Sequence, residues 1–104
     1  MIYFGYQIAP APGKREALIT ENARFKKIIE SHGGKAVGSF RVALGQGDGN
    51  LVYMIAYDDM ATATKAGEAL EKDSDYAALL KKTEPMIASS SSLLLQPLPD
   101  SGLQ

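Results

Sequence analysis

The sequence predicts an α+β domain of the ferredoxin-like, split βαβ type, with a four-stranded antiparallel sheet and helices on one face. Three observations predict it. The chain opens with period-two alternation of apolar and polar residues; helical spacing of apolar residues follows; and the succession of such segments reads β-α-β-β-α-α-β. At 104 residues there is room for one such domain and not for two.

Ile2, Phe4, Tyr6 and Ile8 alternate with Tyr3, Gly5 and Gln7, so residues 2–9 read as a strand rich in aromatic side chains. Pro10-Ala11-Pro12-Gly13 breaks it, and a helix runs from about Gly13 to His32. Along that helix Leu18, Asn22, Phe25, Ile29 and His32 recur at steps of four and three. That spacing lays them on one stripe, flanked by Ala17 and Ile28. Gly33-Gly34 ends the helix, because glycine enters the left-handed region without a Cβ penalty. Residues 35–44 read as a second strand, with Ala36, Gly38, Phe40, Val42 and Leu44 on one face and Val37, Ser39, Arg41 and Ala43 on the other. The glycine-rich stretch 45–50 is a hairpin loop. It is followed by neither a helix nor a Lys-Ser/Thr pair, which a phosphate cradle requires.

Leu51 to Tyr57 is apolar on both faces, the pattern of a strand covered on both sides. Asp58-Asp59 caps an alanine-rich helix reaching about Lys72. Asp73-Ser74-Asp75 caps a shorter helix carrying Tyr76, Leu79 and Leu80, and Glu84-Pro85 ends it. A fourth strand is expected to start within Ser89–Ser92, because Leu93 to Leu95 need a sheet or helix to bury them. The domain then spans 1–98, with 99–104 as a tail.

Eleven basic and twelve acidic residues leave a formal net charge of −1, so the basic footprint of a nucleic-acid binder is missing. There is no cysteine, which removes thiol nucleophiles, Fe–S clusters and Cys-ligated zinc, and a single histidine cannot build a multi-His metal site. The expectation is no metal and no cofactor. No apolar run is long enough to span a bilayer and no basic segment precedes the apolar start, so a soluble, cytoplasmic chain is expected, with no membrane partner. The helices cover one face of the sheet; strand three is apolar on both, so a second copy of the chain is the natural cover for the other. A homodimer is therefore expected.

The polar and aromatic residues inside these elements are the candidates for chemistry. His32 is the one imidazole, a possible general base or haem ligand, but its place just before Gly-Gly also suits a helix C-terminus. Asn22 breaks the apolar stripe, so its amide either orients a ligand or bonds a neighbouring side chain. Arg41 shares a strand face with Ser39, with Gln7 expected on an adjoining strand; the guanidinium could bind a carboxylate or stabilise an enolate-like charge, or form an ion pair at a dimer contact. The aromatic set supplies Phe25, Phe40, Tyr53 and Tyr76 as walls for a flat ligand. Asp58-Asp59 is read as a cap and not as a carboxylate dyad, since neighbours on a strand end point apart.

Several segments together resemble one family. They are Pro12-Gly13-Lys14, Ser31-His32-Gly33-Gly34-Lys35 with Val37-Gly38-Ser39-Phe40, Leu51 to Met60, Asp73-Ser74-Asp75-Tyr76, and Leu94-Leu95-Gln96-Pro97-Leu98. In this order and spacing they resemble the NIPSNAP family of the dimeric α/β-barrel superfamily. The resemblance implies a homodimeric barrel, and its broader relatives include cofactor-free monooxygenases, haem-degrading enzymes, isomerases and dehalogenase-like proteins. Phe40 and Tyr76 stand where the family usually has Trp, and Tyr53 where many members carry His, which makes Tyr53 the first candidate for a functional group.

Two functions are consistent with this reading. In the first, a small and aromatic or polyketide-like molecule binds between helices and sheet, held by Gln7, Asn22, Phe25, Phe40, Tyr53 and Tyr76. Isomerase- or monooxygenase-type chemistry without a cofactor would then draw on Tyr53, Asn22, Arg41 or His32. The second is a non-catalytic homodimeric interaction or ligand-sequestering module. A preformed pocket with convergent polar groups marks the first, and a filled helix–sheet layer marks the second. Ala61, Ala63, Ala66 and Gly67 fit either, since small residues make room or allow close packing.

Overall fold

Four antiparallel strands form one sheet in the order β2-β3-β1-β4, with three α-helices against one face. The computed structural model describes residues 1–103. The strands are β1 (Ile2–Pro10), β2 (Lys35–Arg41), β3 (Leu51–Tyr57) and β4 (Ile87–Leu95). The helices are α1 (Arg15–Ser31), α2 (Met60–Glu71) and α3 (Ser74–Thr83), and a short 3₁₀ turn, Glu84–Met86, leads into β4. This is the ferredoxin-like arrangement.

Register assigns every strand residue to a face, because directly paired residues project to the same side. Tyr6 pairs with Tyr53 and Ser92, and Ile8 with Leu51 and Ser90. That row faces the helices. Gly5 pairs with Met54 and Leu93, and Gln7 with Val52 and Ser91, so these project from the open face. Two irregularities reset the alternation. One in β2, between Ala36 and Gly38, leaves Ala36 opposite Ile55 but Phe40 opposite Val52. Ala36 and Phe40 therefore lie on opposite faces of the sheet, contrary to the uninterrupted alternation expected. The other, between Ala9 and Pro10, pairs Pro10 with Ile87 and turns Ile87 toward the helices.

Strand β2 ends at Arg41 and not at residue 44; Leu44 lies in the loop and is exposed. The whole run Ser89–Ser92 is strand. Leu93, Leu94 and Leu95 join the sheet yet stay exposed, so pairing gives them hydrogen bonds without burial.

The core is two adjoining clusters. Ile29, Ile55, Tyr57, Ala63 and Ala66 form one, and Leu18, Leu51 and Tyr53 the other. Tyr6 and Phe25 pack against both. The alanines of α2 serve close packing: Ala63 and Ala66 are buried on the first cluster, while Ala61 and Gly67 face solvent. At the end of α1 the Gly34 N–H donates to the Ile29 carbonyl and the Gly33 N–H to that of Glu30, with Gly33 at φ +89°. This is the glycine-terminated helix end expected from Gly33-Gly34. Gly34 must also be small, since a Cβ there would lie 2.5 Å from Ile29 Cγ2. Helix α2 is capped by Asp59, whose carboxylate accepts from the Thr62 N–H at 2.7 Å. Asp58 is exposed and lies 3.6 Å from Lys35, so the two aspartates do not form a dyad.

Candidate functional site

The helix–sheet layer is not filled. A cavity of about 360 Å³ lies beneath α1 and α3. Helix α1 lines it with Leu18, Glu21, Asn22, Phe25 and Ile29, and α3 with Tyr76, Leu79, Leu80 and Thr83. Leu70 of α2 closes one end, and the floor is Tyr6, Ile8, Tyr53 and Ile87 of the sheet. Ser90 and Ser92, on the helix-facing side of the edge strand β4, are exposed, as is Leu80. The mouth lies there, between β4 and α3.

Polar groups converge on these apolar walls. The Tyr6, Tyr53 and Tyr76 hydroxyls have no hydrogen-bond partner among the described residues. Burial pushes all three phenols above their usual range, and the neighbouring Tyr57 and Tyr76 phenols push Tyr6 further. They are therefore neutral donors at neutral pH. Phe25 and Tyr53 pack at a tilt of 32°, with centroids 5.9 Å apart, and form an aromatic wall. Asn22 donates to Ser39 Oγ at 2.9 Å. Of the two alternatives for Asn22, the side-chain bond is the one formed, and the residue still borders the cavity.

The sequence reading overlooked Glu21. It is 8% exposed, with one oxygen 2.6 Å from Lys82 Nζ of α3 and the other 3.7 Å from Arg24. Lys82 holds its carboxyl below the usual carboxylate range, against the opposing effect of burial, with Arg24 adding a smaller pull. The signal was available: Glu21 is three residues after Leu18 and four before Phe25, on the inward stripe.

The structure brings Asn22, Phe25, Tyr53 and Tyr76 to this one cavity, while Gln7, Phe40, Arg41 and His32 do not line it. Gln7 does not adjoin Arg41, because β3 lies between β1 and β2; it projects from the open face, where its amide reaches Gly47 of the β2–β3 loop. Phe40 also lies on the open face, its ring over Gly38, where a Cβ would come within 2.7 Å. Arg41 is exposed and lines an adjoining groove with Ile19, Ser39 and Phe40, and Asn22 and Tyr53 border that groove as well as the cavity. His32 Nε2 lies 2.7 Å from Asp73 Oδ2, away from the cavity. It ties the end of α1 to the α2–α3 junction, because Asp73 Oδ1 also accepts from the Asp75 and Tyr76 N–H groups. No cluster of three or more His, Cys, Asp or Glu side chains arranged to hold a metal occurs among the described residues.

The His32–Asp73 contact gives a pH dependence. His32 holds the Asp73 carboxyl below its usual range, and the Tyr76 N–H adds to this. The unfolded chain takes up the proton first as pH falls below about 4, so this contribution is present above that pH and is lost as pH drops through the lower folded value. Urea midpoints are expected to fall between pH 7 and pH 3. They should fall less in Asp73→Asn, which keeps a capping oxygen but removes the charge. Equal losses in both proteins would contradict the assignment.

Fold and site together define a class: a ferredoxin-like α+β domain with an unfilled, phenol-lined cavity between helices and sheet. The chain belongs to the NIPSNAP family, whose model matches residues 5–102. A NIPSNAP domain protein from Burkholderia xenovorans superposes with a TM-score of 0.87 at 20% identity, covering 97% of this chain and 98% of its own. A NIPSNAP family protein of unknown function from Agrobacterium tumefaciens gives 0.88 at 21% identity, covering 100% and 94%. A candidate antibiotic biosynthesis monooxygenase from Nitrosomonas europaea shares the fold at 0.71 with 13% identity, covering 94% and 99%. A search of the curated proteins finds no match. No helix among the described residues is long and apolar enough to cross a membrane.

Proposed function

We propose that the protein binds a small, flat, predominantly apolar organic molecule, aromatic or polyketide-like, in the cavity between α1, α3 and the sheet. The observation that carries this reading is the set of three phenols without hydrogen-bond partners among the described residues, standing around one apolar space of about 360 Å³. That size is typical of small-molecule sites, which combine apolar walls with a few placed polar groups. The groups present favour binding over proton-transfer catalysis. The phenols are held above their usual range and Glu21 below its own, so these groups are not poised to exchange protons near neutrality. Sequestration or carriage of the ligand is the first form of the reading. Isomerase- or monooxygenase-type turnover is the second, supported by the fold shared with the Nitrosomonas protein.

A thermal-shift titration with 1-naphthol tests the binding. The wild-type protein is expected to melt several degrees higher at about tenfold excess over the dissociation constant. Ser90→Trp fills the mouth from an exposed strand position and is expected to weaken binding at least tenfold, with the unliganded melting temperature little changed. No saturable shift, or an equal shift in Ser90→Trp, would overturn the reading.

We further propose that a second copy of the chain covers the open face of the sheet. Phe40, Leu93 and Leu95 project from that face while 56%, 65% and 38% exposed, beside half-buried Val52 and Met54. The patch is uncharged except at the Lys35 corner, so it has no charge by which to select an oppositely charged partner. A two-fold contact buries the same apolar patch on both copies.

A further inference from the structure

We infer that Glu21 is the polar anchor of the cavity, and that the ligand class is an aromatic molecule bearing a free hydroxyl, which donates a hydrogen bond to Glu21 Oε2. This rests on the cavity being the binding site and deepens that reading. Glu21 borders the cavity from α1, and its Oε2 is fully buried without a hydrogen-bond partner. The Arg24 guanidinium, 3.7 Å away, is beyond hydrogen-bond distance, while Lys82 occupies the other oxygen.

A buried carboxylate oxygen left without a donor is costly, and native proteins seldom leave one so. A ligand hydroxyl removes that deficit; a methyl ether of the same shape cannot, because it has no proton to donate. A ligand carboxylate is disfavoured by direct repulsion, since Glu21 stays ionised beside its two cations. The apolar surroundings sharpen the discrimination, because a site built around a hydrogen bond strongly rejects the analogue that lacks it. Selectivity for hydroxylated over etherified or carboxylated rings follows from one residue.

The test compares 1-naphthol, 1-methoxynaphthalene and 1-naphthoate by calorimetric titration of the full chain. Wild-type protein is expected to prefer 1-naphthol over the ether by about tenfold or more, the range for a hydrogen bond to a charged group. Glu21→Gln keeps the shape and removes the charge, and the preference should shrink to about threefold or less. Lys82→Met leaves Glu21 in place, and the preference should persist. Equal binding of 1-naphthol and the ether by wild-type protein overturns the anchor and leaves the cavity reading standing. Loss of the preference in Lys82→Met as complete as in Glu21→Gln also overturns it, since selectivity would then belong to the ion pair. Binding of none of the three overturns the cavity reading and the anchor together.

Discussion

Leu93→Asp is expected to run as a monomer in light scattering, and the wild-type chain is expected to run at twice the chain mass. Leu93 lies in a row across the open face, opposite Gly5, which is itself opposite Met54. Gly38 completes the row beyond Met54, so two of its four positions lack side chains and the two apolar ones dominate the contact. In a two-fold contact the substitution enters twice. Burying an uncompensated carboxylate costs about 3 kcal/mol or more, which is over 100-fold in the dissociation constant. Leu93 is 65% exposed in the single chain, so the folded protomer should change by less than about 0.5 kcal/mol. A monomeric wild type, or a variant that dimerises unchanged, would contradict the two-copy arrangement.

Ile55→Ala is expected to lose about 2–5 kcal/mol of unfolding free energy in urea titrations. Ile55 is 2% exposed and is the largest fully buried side chain among the described residues, at the centre of β3 in one cluster with Ile29 of α1 and Ala63 and Ala66 of α2. Truncation removes apolar burial and leaves a void that helix and sheet cannot both close. A domain of this size has a total stability of about 5–15 kcal/mol, so the variant would lose a large part of it. A loss below about 1 kcal/mol would show that α2 can settle onto the sheet, contrary to the close packing of Ala63 and Ala66.

Much of this architecture was legible because local pattern and tertiary environment agree. Ile2, Phe4, Tyr6 and Ile8 alternate with no irregularity between them, and register sets them against the helices as alternation predicts. Asp59, Asp73 and Gly33-Gly34 cap helix ends where their chemistry requires it. The misreadings have physical causes. An irregularity within β2 leaves no mark in its composition, so Ala36 and Phe40 read as sharing a face. Composition starts the fourth strand only somewhere within the four serines, yet β1 supplies the hydrogen-bond ladder that holds the whole run extended. Gln7 and Arg41 looked like neighbours only while the strand order was unknown.

The candidate site was legible in part. Phe25, Tyr53 and Tyr76 sit where aromatic residues on inward faces should, and Asn22 stands out as a polar break in an apolar stripe. Glu21 carried a positional signal on the inward stripe, but a glutamate on a helix carrying many charges reads as solvated face. Its burial depends on Lys82, which is remote in sequence and arrives only when α3 packs against α1.

The central claim is that the space between α1, α3 and the sheet is a small-molecule site. A crystal structure of the protein grown with 1-naphthol tests it most directly. The expected result is the bicyclic ring against Phe25 and Tyr53, with its hydroxyl within hydrogen-bond distance of Glu21 Oε2. An empty cavity at saturating ligand, or naphthol bound only elsewhere on the surface, would contradict it.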